Sequence, residues 1–135
     1  MTSGYSGRPL AQKLGIKPGE RIVAVDAPAN YPQLLQPLPD GAAIAEGVPA
    51  TVSFLHIFVI WRAVLEEKLA ELKPSLARDG MLWISWPKKS AKVETDLNEN
   101  LIREVGLDAG LVDVKVCAAD PTWSGLKFVY RLKDR

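Results

Sequence analysis

Residues 51–86, TVSFLHIFVIWRAVLEEKLAELKPSLARDGMLWISW, decide the fold. Thr51 to about Val59 is the most apolar run and reads as a central strand. Arg62 to Leu76 reads as a helix. Leu65, Leu69, Leu72 and Leu76 recur at helical spacing, and Glu66, Glu67, Lys68, Glu71 and Lys73 lie largely off that stripe. Asp79-Gly80 then turns the chain into a second buried strand, Met81-Leu82-Trp83-Ile84-Ser85-Trp86, which Pro87 stops. Buried strands that alternate with helices indicate an α/β sheet, parallel in its middle.

The flanks extend this pattern. On the amino-terminal side, Pro9 suits the first turn of a short helix that Gly15 ends. Arg21 to Asp26 is a β-branched strand. Asn30 is placed to cap a short helix through Tyr31, Leu34 and Leu35, and Ala42 to Ala45 suits a short edge strand. On the carboxyl side, Thr95 or Asp96 is expected to cap a helix carrying Leu97, Leu101 and Val105. Asp96 and Glu99 have capping-box spacing, and Gly106 is expected to end the helix. Val112, Val114 and Val116 then alternate with Asp113, Lys115 and Cys117. Leu126, Phe128, Tyr130 and Leu132 alternate with Lys127, Val129 and Arg131. Such alternation predicts two strands with one wetter face, joined through Asp120 to Gly125 as an antiparallel pair.

A chain of 135 residues suits one domain, 1–135, large enough to bury a core, with residues 1–8 expected to form a flexible arm. The formal charge of +1, from 17 basic and 16 acidic residues, gives no global electrostatic reason to expect nucleic acid or an anionic membrane as the main partner. Cys117 is the single cysteine, which fits a reducing compartment. No signal-peptide core is visible, and the apolar stretch near Val48 to Leu65 is broken by Pro49, His56 and Arg62. The expected location is cytoplasmic, with no membrane association.

Leu14-Gly15-Ile16-Lys17-Pro18-Gly19-Glu20-Arg21-Ile22 resembles the approach to the first strand of Rossmann-like methyltransferases. Arg78-Asp79-Gly80-Met81-Leu82-Trp83-Ile84 resembles a later strand of the same enzymes. This likeness implies a single three-layer domain with a mostly parallel sheet that ends in an antiparallel strand pair, in truncated form. More narrowly, Leu14 to Gly19, Asp79 to Ile84, Pro87-Lys88 and Trp123-Ser124-Gly125 resemble the bacterial domain of unknown function 3052 family. That likeness implies a stand-alone bacterial domain and carries no catalytic residues with it.

The candidate chemistry is thin. A Rossmann-type cofactor loop needs glycines after the first strand so that backbone N–H groups can approach the ligand. Here the loop is Asp26-Ala27-Pro28-Ala29-Asn30-Tyr31, without glycine, and Pro28 has no N–H. S-adenosylmethionine is therefore not expected, and no cofactor is predicted. Glu46, 20 residues after Asp26, stands where an acid could hold a ribose; the alternative is a solvated loop residue. His56, the only histidine, is a weak candidate general base against a hydrogen-bonded core histidine. A lone histidine and a lone cysteine predict no metal site. Cys117 is expected to be structural, and Ser6 in Gly4-Tyr5-Ser6-Gly7 lacks nucleophile-elbow spacing.

Trp86-Pro87-Lys88-Lys89, with Lys92, follows a central strand, where open α/β sheets place ligands. Two ammonium groups beside an indole suit an anion; a solvated loop is the plainer alternative. Asp26, Asn30, Tyr31, Ser85, Trp86, Lys88 and Lys89 are the candidate ligand-binding residues, with Tyr5 and Arg8 on an arm able to close over them. The first expectation is a non-catalytic module that binds a small anionic ligand or a protein partner. The second is a small methyltransferase-like enzyme with its ligand at the carboxyl edge of the sheet. A weak nucleic-acid contact through Lys88, Lys89 and Lys92 comes third.

Overall fold

The apolar runs become strands and the leucine-spaced segments become helices in the computed structural model, which describes residues 8–135. In chain order they are α1 (Leu10–Leu14), β1 (Arg21–Val25), α2 (Tyr31–Leu34), β2 (Ala43–Ile44), β3 (Val52–Phe58), α3 (Arg62–Leu72), β4 (Leu76–Pro87), α4 (Glu99–Asp108), β5 (Leu111–Ala118) and β6 (Trp123–Tyr130). They form one six-stranded sheet in the order β2-β1-β3-β4-β6-β5. Pairing is parallel from β2 through β4 and antiparallel for β4–β6 and β6–β5. The expected single α/β domain with a closing antiparallel pair is the one observed.

Side chains alternate across each strand, so the sheet has two buried faces. On one, Leu55, Ile57, Leu82, Ile84, Leu126 and Phe128 pack against Leu65, Leu69 and Leu72 of α3 and Ile102 and Val105 of α4. On the other, Ile22, Phe54, Phe58, Met81 and Trp83 pack against Leu10 and Leu14 of α1 and Tyr31 and Leu35 beside α2. Trp83 is fully buried, and its indole N–H donates to the Leu14 carbonyl at 2.9 Å, which ties α1 to the sheet centre.

Several local expectations are corrected. The helix from Arg62 stops at Leu72, because Pro74 lacks the N–H that a continuing helix needs. A short 3-10 turn over Lys73–Ser75 follows, and Leu76 opens β4. Asp79-Gly80 is therefore inside a strand rather than in a turn. The β3–β4 register shifts between Val52 and Phe54, and a Cβ on Gly80 would lie 3.0–3.1 Å from three carbonyl oxygens, so only glycine fits without movement.

α4 is capped by Asn98, whose side chain accepts from Leu101 N at 2.9 Å. Asp96 instead accepts from Arg62 N at 2.8 Å, at the start of α3, and Thr95 donates to the Ile60 carbonyl. Gly106 lies within α4, not at its end. Asn30 precedes α2 but makes no side-chain cap. The simple alternation expected for β5 also fails. Its register against β6 shifts between Asp113 and Lys115, and Val114 and Val116 are exposed on the sheet edge. Trp123 opens β6 rather than sitting in the hairpin linker.

Candidate functional site

The carboxyl ends of β1, β3 and β4 meet the first residues of β6 at one edge of the sheet. Two arrangements stand there. The first is buried. His56 on β3, on the α1–α2 face, is wholly inaccessible. Its Nδ1 lies 2.8 Å from the Tyr31 hydroxyl, and its Nε2 lies 2.8 Å from the Ser85 hydroxyl. Neutral imidazole offers one N–H donor and one acceptor, and each nitrogen meets a hydroxyl able to complement it. The ring stacks on Phe58 at 4.2 Å between centroids, and Tyr31 meets both rings edge-on. Trp123 closes on Phe58 at 5.1 Å. Burial drives the His56 pKa down to about 3 and raises that of the Tyr31 phenol, because neither charged form can be solvated there. The histidine is thus a neutral, fully bonded core group.

The second arrangement is open. A cavity of about 570 Å³ lies between the end of β4 and the start of α4. Trp86, Lys88 and Lys89 line it, opposite Asp96 and Glu99. The two carboxylates are committed elsewhere: Asp96 to Arg62 N, and Glu99 to the Arg103 guanidinium at 2.7 Å. Neither lysine ammonium has a hydrogen bond or ion pair among the described residues. Asp96, bonded to a backbone dipole, keeps its charge, so the lining sets two unpaired lysines against one unpaired carboxylate, and this net positive mouth suits an anion.

Of the ligand-binding residues expected from the sequence, the structure joins Trp86, Lys88 and Lys89 at the cavity. It places Tyr31 and Ser85 in the core on His56. Asp26, at φ 57°, and Asn30 are exposed in the loop after β1, away from the cavity. Glu46 is exposed beyond β2, and Arg8 is exposed at the start of the described chain. Tyr5 lies outside the described residues. Lys92 stands beyond a 3-10 turn over Lys89–Ala91. Cys117 is half-buried on β5, and burial pushes its thiol pKa up, with Lys13, Lys115 and Lys88 pulling the other way. Thr95, Asp96 and Glu99 are cavity walls that the sequence does not reveal. Their capping-type pattern marks a helix start, but the pairing of that start with β4 is tertiary. Among the described residues no group of three or more His, Cys, Asp or Glu could hold a metal, and no helix is long and apolar enough to cross a membrane.

The overall fold recurs in solved structures. A SAM-dependent methyltransferase from Aquifex aeolicus superposes with a TM-score of 0.62 at 16% identity, over 87% of this chain and 85% of that one. The fold is that of the S-adenosylmethionine-dependent methyltransferases. Aeropyrum pernix fibrillarin, in complex with natively bound S-adenosyl-L-methionine, gives 0.60 at 16% identity, over 93% and 70%. The DhpI–SAH complex gives 0.62 at 10%, over 92% and 84%. At these identities the methyltransferase-type likeness is one of fold. No protein-family model matches the sequence, and no curated protein does.

Proposed function

We propose that this chain is a non-catalytic binding module on a methyltransferase-type sheet, with a small anion rather than S-adenosylmethionine as its ligand. The observation that carries this reading is the sealed state of His56. The only imidazole of the chain spends both nitrogens on Tyr31 and Ser85, and burial keeps it neutral. It has no nitrogen left to take a proton from a substrate. The residues after β1 also fit a nucleoside cofactor poorly. Asp26 takes the positive-φ position, Pro28 offers no donor, and Tyr31, Phe58 and Trp123 fill the adjoining edge with aromatic rings. The anion seat in this reading is the Lys88–Lys89 cavity.

Thermal unfolding tests it. S-adenosylmethionine, its demethylated product and dinucleotides should leave the melting temperature unchanged. A ligand at about 100 times its Kd would add about 2.7 kcal/mol, a shift that is easily seen. Pyrophosphate should stabilise the protein, and Lys88→Glu with Lys89→Glu should abolish that effect. Stabilisation by S-adenosylmethionine would overturn the reading. It would favour a small methyltransferase, for which the fold likeness to cofactor-bound structures is the supporting observation.

A further inference from the structure

Charge is segregated across the sheet even though the net charge is +1. Four ion pairs gather on the α3–α4 side: Arg62 with Glu66 and Glu104, and Arg103 with Glu99 and Asp113. The α1 side differs. Lys127 on β6 pairs in register with Trp83, which faces α1, so Lys127 points to the same side. Lys115 on β5 stands directly opposite Lys127. Its ammonium donates to the Lys13 carbonyl at 3.0 Å, which confirms the side. A Cβ on Gly15 would lie 3.8 Å from Lys127 Nζ, so this ammonium sits against the end of α1. Lys17 follows two residues later and adds a third positive charge to the field at Lys127.

Like charges directly opposite each other weaken a strand pair. The backbone carbonyl at the end of α1 satisfies one ammonium as a dipole and leaves its charge in place. None of Lys17, Lys115 and Lys127 has a carboxylate within ion-pair distance among the described residues. The nearest acid in sequence, Glu20, accepts from Lys17 N and from the Ser53 hydroxyl. Lys127 is half-buried, and its pKa is lowered first by that burial and then by Lys115 and Lys17. An arrangement that repels itself in isolation is relieved when an external anion arrives.

We propose that Lys17, Lys115 and Lys127 form a face that binds the phosphate backbone of duplex nucleic acid. Lys115 and Lys127 lie on the two strands at one side of the sheet, with Lys17 in the turn before β1, and an extended polyanion can pass along them. Among the described residues no strongly exposed aromatic lies on this face to give the stacking platform that single strands use. Trp61, at the start of α3, is the one strongly exposed aromatic among the described residues. Lysines act as point charges toward phosphate and read no sequence. The three lysines of this face are distinct from Lys88 and Lys89, although Lys88, like Lys13 and Lys115, is near enough to Cys117 to act on its thiol.

Fluorescence anisotropy with a short labelled DNA duplex tests the proposal. Three phosphate contacts predict a loss of about 40-fold in affinity between about 50 and about 200 mM salt, equal for unrelated sequences. Lys115→Gln with Lys127→Gln should weaken binding at least about tenfold and flatten the salt slope by about 2. Lys17→Gln with Lys115→Gln, both at exposed positions, gives the same readout without touching a half-buried side chain. Lys88→Gln with Lys89→Gln should weaken duplex binding less than either of those variants. The proposal is overturned by no duplex binding at low salt, or by undiminished binding in either of the first two double variants. A loss of binding in the Lys88–Lys89 variant as large as theirs overturns it too, as does capture by anionic lipid vesicles in place of duplex.

Discussion

The Tyr31 hydroxyl and His56 Nδ1 lie 2.8 Å apart in the core, and Ser85 holds the opposite nitrogen of the same ring. This chain of three polar side chains ties α2, β3 and β4 together in the core. Because it is fully bonded and buried, it has consequences for stability that can be measured.

His56 predicts an acid-sensitive fold. Its folded pKa, about 3, lies far below the ordinary histidine value, because burial opposes the charged form. The unfolded chain takes up the proton first, so lowering the pH favours unfolding. The stabilisation is fully present above about pH 6.5 and is lost as pH falls toward about 3. Urea unfolding should therefore show stability dropping by about 2 kcal/mol between about pH 7 and about pH 5, above most carboxylate titrations. His56 is the only histidine, so a flat profile across that window would mean that it is not buried neutral.

Tyr31→Phe isolates the other end of the chain. The ring and its contacts with His56 and Phe58 are kept, while His56 Nδ1 loses its partner in a buried site. Leaving a buried polar atom unpaired costs about 1–3 kcal/mol. Chemical denaturation of Tyr31→Phe and of Ser85→Ala should each show a loss of that size. An unchanged midpoint in both would show that water reaches the ring.

Gly106→Ala should destabilise the protein although alanine is the better helix former. A Cβ there would lie 2.0 Å from Phe128 Cε1, with two further ring atoms at 2.5 and 2.6 Å, and Phe128 is fully buried. Helix propensity returns about 1 kcal/mol, whereas overpacking a rigid core costs about 1–3 kcal/mol or more. Phe128→Leu in the same chain should recover part of the loss, and a rise in melting temperature for the single variant would contradict the close approach of α4 to β6.

Much of this architecture is legible in the sequence because it rests on local patterns. The runs at 52–58 and 81–86 and the stripe of Leu65, Leu69 and Leu72 give a parallel unit directly. Boundaries are lost where one residue fits two periods. Leu76 continues the helical spacing from Leu72, yet Pro74 and the backbone crowding at Gly80 make it a strand residue. Gly106 resembles a helix stop, and only the position of Phe128 explains it. At the candidate site, Trp86, Lys88 and Lys89 stand out by their place after a central strand. Tyr31 and Ser85 were expected beside a ligand, and they turn inward because His56 lies between them. The opposition of Lys115 and Lys127 depends on a register shift in β5, which the alternating valines conceal.

Trp83→Phe tests what seats α1, and with it Gly15 and Lys17, on the sheet. The indole N–H is the donor to the Leu14 carbonyl near the end of α1, and that carbonyl is deep enough that water is a poor substitute. Phenylalanine removes the donor and leaves space beside Gly125, whose Cβ position would be 3.2 Å from Trp83 Cε3. The lost hydrogen bond and the cavity together predict about 2–4 kcal/mol of global destabilisation. α1 is only five residues long and cannot persist on propensity alone. Its amides should therefore lose hydrogen-exchange protection before those of β3 and β4. If α1 and the central strands lose protection in parallel, the helix is held by its leucines and not by the Trp83–Leu14 bond.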